Sequence, residues 1–226
     1  MIAYKYLKKM KASYDRWREK MRFKYLFKKK ASKIHSLLGK KSIIILSSDC
    51  VGGRVMNDFQ LPVYTPTVNN WYSNDGFLKL CENLEHYMNE PVVLSEKDDE
   101  GHYTGILDDI TIHFGHEDDP NKAIKKWNRG CKMLLKAIEG DHDFLIVYND
   151  RNHFEDSYLE RFENLPYNNK ILFTHKKHAH YSSTFYMDNE DHLDCVKTMT
   201  LFENYISLRR RYDRYDFYKI ISELLK

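Results

Sequence analysis

Three apolar runs, each followed by small or polar residues and a helix-period stretch, predict an α/β fold. The expected core is a mainly parallel or mixed sheet with helices on both faces, preceded by a basic amphipathic amino-terminal helix. The runs lie at residues 43–46, 144–148 and 170–174. Continuous β-branched and apolar strands of this length suit a sheet buried on both faces. Their alternation with helices calls for parallel crossovers. At 226 residues, 42% of them hydrophobic, the chain can fill one large domain with an appendage. The expected division is an arm at residues 1–41 and an α/β domain at 42–226.

The arm carries fifteen Lys/Arg against only Asp15 and Glu19, whereas the remainder has 21 basic and 31 acidic residues. Leu7, Met10, Tyr14, Trp17, Met21 and Tyr25 recur every three or four positions, which puts them on one face of a helix. Such a helix suits the headgroup layer of an anionic membrane on its cytoplasmic face. The same residues fit a short heptad stripe, so packing on another copy, as a homo-oligomer, or on the chain's own body is the rival. Nucleic acid is not expected as a partner, because no binding motif accompanies the charge and the body is acidic.

Along the body, residues 42–46 form the first strand, and Ser47-Ser48-Asp49-Cys50-Val51-Gly52-Gly53-Arg54 the loop and helix start that follow. Residues 61–67 are a proline-punctuated connector. Ser73-Asn74-Asp75 offers caps for a helix whose inner stripe is Phe77, Leu80, Cys81, Leu84 and Met88. Residues 91–94 and 104–114 read as strands flanking the acidic turn 96–101. Asp119-Pro120 opens a helix with Ile124, Trp127, Cys131, Leu134 and Ile138 inward. A helix through Tyr158, Leu159 and Phe162 and an aromatic-rich amphipathic helix at 212–225 complete the elements. Cys50, Cys81, Cys131 and Cys195 are too widely spaced for a zinc site or a disulfide framework, which points to a reducing, cytoplasmic setting. No apolar run approaches the roughly 20 residues that span a bilayer, and no signal peptide is expected.

Several motifs stand in one order: Ser47-x-x-Cys50-x-Gly52-Gly53, Leu61-Pro62-x-x-Thr65-Pro66-Thr67, Lys126-Trp127-x-Arg129, Asn149-Asp150-Arg151, Leu165-Pro166-Tyr167-x-x-Lys170 and Arg211-Tyr212-Asp213. Taken together over residues 42–220, they resemble a bacterial family of exopolysaccharide- and capsule-biosynthesis proteins of unknown function. Asp49, Val51 and Gly130 depart from that pattern. The resemblance implies a place in glycan assembly and supplies no mechanism.

In a parallel sheet the strand ends gather Ser47 to Arg54, Asn149-Asp150-Arg151 and Thr174-His175 along one rim, with His113 or His116 joining if their strand is parallel too. One reading makes Cys50 a nucleophile activated by His113, His116 or His175, with the Gly52 and Gly53 amides as an oxyanion hole, for acyl transfer or hydrolysis on a glycan. The other has Ser47, Ser48, Asp49, those amides, Arg54, Asn149, Arg151 and Thr174 hold an activated or lipid-linked sugar, with Asp150 as base or metal ligand. That reading makes the protein a transferase bound peripherally to the membrane. A non-catalytic, membrane-docked assembly protein is the third possibility. Cys50 that merely packs and an Asp150–Arg151 ion pair are the plain alternatives. No strong metal or nucleotide-cofactor motif is present, so the cofactor stays open. His175, His178 and His180 read as a solvated basic loop, and residues 188–191 as a solvated acidic turn.

Overall fold

The computed structural model describes residues 2–38, 41–140, 142–151 and 153–226, with side chains in the first helix from Met10 onward, so that of Leu7 lies outside the described residues. Strands β1 (Ser42–Ser47), β6 (His142–Asn149), β7 (Lys170–Thr174) and β8 (Thr184–Tyr186) pair in that order as a parallel sheet. Successive side chains alternate between its faces. Ile44, Leu46, Ile146, Tyr148 and Leu172 enter one core, and Ile43, Ile45, Leu145, Val147, Ile171 and Phe173 enter another. The first core includes residues from α4 (Asn74–Glu82), α5 (Leu84–Asn89), α6 (Pro120–Ile138) and α7 (Asp156–Glu163). The second draws on α2 (Lys28–Leu37), α3 (Val51–Phe59) and α8 (Phe217–Leu224). Helices therefore cover both faces, as the apolar runs predict.

The strands expected at 91–94 and 104–114 do not join this sheet. They belong to a second, antiparallel one, in which β2 (Trp71–Tyr72), β5 (Ile110–Phe114), β4 (Tyr103–Leu107) and β3 (Val92–Ser95) are neighbours in that order. The run 104–114 folds back on itself at Asp108, whose φ of 53° is a left-handed value that a short polar side chain tolerates. The resulting hairpin opposes Thr104 to His113.

Local chemistry accounts for the helix starts. Ser73 Oγ accepts the Gly76 amide at 3.1 Å, and Asp119 Oδ1 accepts the Asn121 amide at 2.9 Å ahead of Pro120. At the carboxyl end the helix is shorter than expected: Arg211–Arg214 form one 3₁₀ turn, and α8 begins only where Asp216 accepts the Lys219 amide at 3.1 Å. The 188–191 turn is not simply solvated either, because Glu190 is buried, ion-paired to Arg211, and accepts the Lys197 amide at 2.8 Å.

The boundary expected at residue 41 falls inside the packed structure. Helix α1 (Ile2–Arg22) runs through a π-helical turn (Phe23–Phe27) into α2, whose Ala31 and Ile34 are buried. Arg22, 1% exposed, pairs with Asp58 of α3 and with Asp213, reaching Asp213 Oδ1 at 2.8 Å. Burial penalises this guanidinium, yet the hydrogen bond to Asp213 and the neighbouring Tyr212, Asp58 and Asp213 outweigh it and hold its pKa above the ordinary value. Residues 18–37 are thus part of the body. No helix among the described residues is long and apolar enough to cross a membrane.

Candidate functional site

The loop after β1 is shaped by its own polar side chains. Asp49 Oδ1 accepts the Val51 amide at 2.8 Å and its Oδ2 accepts Asn149 Nδ2 at 2.9 Å, which ties the end of β1 to the end of β6. Ser47 Oγ accepts the Gly52 amide at 3.1 Å. The Gly52 amide proposed for an oxyanion hole is therefore engaged internally. Both glycines have packing reasons: a Cβ on Gly52 would lie 2.6 Å from Ser47 Cβ, and one on Gly53 would lie 2.9 Å from Val68 Cγ1. Burial pushes the Asp49 carboxyl up, against the hydrogen bonds it accepts and the charge of Arg151.

Cys50 stands just before α3 with its Sγ 3.2 Å from Nε2 of His116. They face a cavity of about 330 Å³ whose wall also includes Ser48, Trp71, His102 and Arg151. His116 further borders cavities of about 820 Å³, shared with Arg54, and 510 Å³, shared with Trp127. These volumes fall within the range of small-molecule sites. The histidine arrives from the antiparallel sheet, two residues beyond β5, and not from a parallel strand as first expected. The same sheet places His113 elsewhere: it stacks on Trp71 at 3.4 Å between ring centroids, and its Nδ1 meets Asp98 Oδ2 at 2.8 Å.

Burial and Asp49 push the Cys50 thiol up to about 11, while Arg54 and Arg151 pull in the opposite direction. Burial, Arg54 and His102 hold the His116 imidazole below its ordinary value. The two shifts run in opposite directions, and both favour the neutral thiol–imidazole pair over a thiolate–imidazolium pair. The thiol accordingly donates to Nε2 in the resting site. The arrangement can produce a nucleophile by proton transfer during attack, with His116 as general base.

Asp150 and His175 form a separate group. Asp150 is buried; its Oδ2 accepts the His175 amide at 2.6 Å and His175 Nδ1 at 2.5 Å, and its Oδ1 accepts the Val196 amide at 2.7 Å. Both oxygens accept from groups of the chain itself, and Asp150 makes no ion pair with Arg151. Thr174 is also buried, with its hydroxyl on the Lys176 carbonyl. Arg151 instead donates from Nη1 to Thr198 Oγ1 at 3.1 Å, with no carboxylate at ion-pair distance among the described residues. Arg54 lies 3.7 Å from Glu19. Among the described residues no three His, Cys, Asp or Glu converge as a metal site.

His102 and Trp71, which line the Cys50 cavity, escape a reading of runs and motifs. The signal for His102 is the hairpin itself: once Asp108 is taken as its turn, the register that opposes Thr104 to His113 carries His102 to the level of Gly115, next to His116. Trp71 lies in a two-residue strand too short to show a period.

The family described as "Domain of unknown function (DUF1919)" matches residues 20–222, reaching well into the arm that the motif resemblance leaves aside. An uncharacterized protein of Haemophilus influenzae is 27% identical over 183 residues, covering 80% of this chain and 85% of its own length.

Proposed function

Since the chain belongs to the DUF1919 family, whose description assigns no activity, we propose from the site alone that it is a cysteine-dependent transferase. It moves an acyl group to or from an activated or lipid-linked sugar. The observation that carries this reading is the 3.2 Å contact between Cys50 Sγ and His116 Nε2 on the wall of a cavity. As Sγ attacks the acyl carbon, His116 takes the thiol proton; collapse expels the leaving oxygen or sulfur of the donor, which receives that proton. A sugar hydroxyl then attacks the thioester, losing its proton to His116, and the thiol is restored. Arg151, which shares the cavity of Cys50, binds the phosphate of the activated sugar, and Arg54, on the adjoining cavity that His116 also borders, adds positive charge. Exopolysaccharide or capsule assembly is the setting in which this substrate class occurs, and the ordered motifs are what support it.

Those two arginines also favour a second reading, transfer of a glycosyl or phosphoryl group with Cys50 as a bystander. Incubation with a panel of acyl thioesters followed by intact-mass measurement separates the two. A covalent acyl adduct on the native protein, absent from Cys50→Ala, is expected. No adduct with any donor, together with undiminished sugar-nucleotide binding by Cys50→Ala, would turn the assignment to the second reading. If every rim variant supports full polymer production at normal protein level, the non-catalytic assembly role replaces both.

A further inference from the structure

An amphipathic helix on a globular body ordinarily turns its apolar stripe inward. Helix α1 leaves part of its stripe uncovered. It is fixed to the body by Arg18, which donates to the carbonyls of Asn204 (2.7 Å) and Ser207, and by the buried Arg22. Along the adjoining stripe, Tyr14 is half-buried beneath the Arg18 guanidinium, while Met10 is 66% and Trp17 52% exposed. A loop from the far end of the chain extends this stripe: the Tyr205 ring stacks on Tyr14 at 5.2 Å, Tyr14 stacks on Trp17 at 5.8 Å, and the Tyr14 hydroxyl donates to the Tyr205 carbonyl at 3.0 Å. Tyr205 and Ile206 are themselves 77% and 84% exposed.

Exposed apolar surface gathered in one place and rimmed by charge marks an interface. The rim here is basic, with Lys11, Arg16, Lys20 and Lys24 all exposed on the helix and its π-helical extension. We propose that Met10, Tyr14, Trp17, Tyr205 and Ile206 form one platform that enters the headgroup layer of an anionic bilayer, with the lysines and arginines on the lipid phosphates. Charge complementarity selects this occupant: a second copy would bring the same positive rim against itself, whereas an anionic surface rewards each added cation. Aromatic rings with polar tips suit the interface in particular. This goes beyond the reaction proposed for Cys50 and does not depend on it. Phe23, in the turn that follows α1, also lies on the wall of the cavity shared by Arg54 and His116, so the lipid surface and the reaction site are neighbours in the fold.

The experiment is sedimentation of the full-length protein with vesicles of phosphatidylcholine alone or mixed with phosphatidylglycerol. Binding is expected only with the anionic lipid, and it weakens as salt shortens the screening length to about 8 Å near physiological strength. Trp17→Ala and Ile206→Asp, at exposed positions where folding is undisturbed, are each expected to lower the partition coefficient about tenfold. Near-ultraviolet circular dichroism and melting temperature verify that both variants keep the native fold. Equal binding by the Trp17→Ala/Ile206→Asp double variant overturns the proposal. So does a concentration-dependent dimer that Ile206→Asp dissociates, or retention on single-stranded nucleic acid, in the absence of vesicle binding.

Discussion

Two imidazoles sit near the ends of the parallel strands, each against an acidic partner, and they do opposite work. His175 meets Asp150 at 2.5 Å in a group where the carboxylate also accepts the His175 and Val196 amides. His116 meets Cys50 at 3.2 Å on the wall of a cavity, and no further hydrogen bond orients its ring among the described residues. The first group joins the ends of β6 and β7 to the segment at Val196, and His175 Nε2 is buried there without a hydrogen-bond partner. The second keeps an accessible sulfur and a base that is neutral at physiological pH. Residue type does not distinguish the two pairs; a place on the cavity wall does.

The difference is broken most severely at Cys50. Cys50→Ser is expected to reduce acyl transfer by roughly three powers of ten or more, because a hydroxyl gives up its proton far less readily than the thiol. Its melting temperature should stay within about 2 °C of the native value, on the scale of about 2–4 °C per kcal/mol for a chain of this size. A parallel loss of activity and of folded protein would instead make Cys50 a packing residue. Asp150→Asn should show the reverse pattern. One amide oxygen cannot replace two carboxylate acceptors, and an NH₂ then faces either the Val196 or the His175 amide. A loss of about 3 kcal/mol, seen as a fall of about 6–12 °C in melting temperature, is expected.

Gly52→Ala tests whether the loop is shaped for packing. With the new methyl 2.6 Å from Ser47 Cβ, about 2 kcal/mol of destabilisation is expected in urea unfolding. An unchanged midpoint would free that glycine for a ligand role. Arg151→Ala should weaken binding of a sugar nucleotide about tenfold by calorimetry, with little change in melting temperature. The smallest effect concerns pH. Protonated His116 cannot accept the thiol proton, so kcat/KM falls on the acid side as pH drops through its pKa, which lies below 6.5. Arg54→Ala removes one of the groups that depress it, and the acid limb should move upward.

Much of the parallel sheet was legible, because residues 43–46, 144–148 and 170–174 are buried on both faces and their composition reflects it. The edge strand β8 was not, being three half-buried residues without a pattern. Cys50 and His116 could both be named as candidates, but their contact crosses 66 residues and depends on the hairpin at Asp108, which a continuous reading of 104–114 conceals. The surroundings of Asp150 were illegible for a related reason: a partner is the amide of Val196, in an irregular segment where no periodicity announces a contact. For α1 the apolar period was legible, but the docking of the helix was not, because it rests on Arg18 and Arg22 bonding to carbonyls and carboxylates of distant segments.

The pairing of Arg22 with Asp213 has a consequence for how the chain is made. The two residues are 191 positions apart, so at about 5–20 residues per second the ribosome needs roughly 10–40 s to supply the partner after the arginine. From its emergence until Asp213 is made, the amino-terminal helix can meet Asp58 but not Asp213, and the part of its docking site near the carboxyl end is missing. Over that time the nascent chain holds its basic, apolar-striped segment by the contacts with α3 alone, and the partners at Asn204, Ser207 and Asp213 complete the seat last.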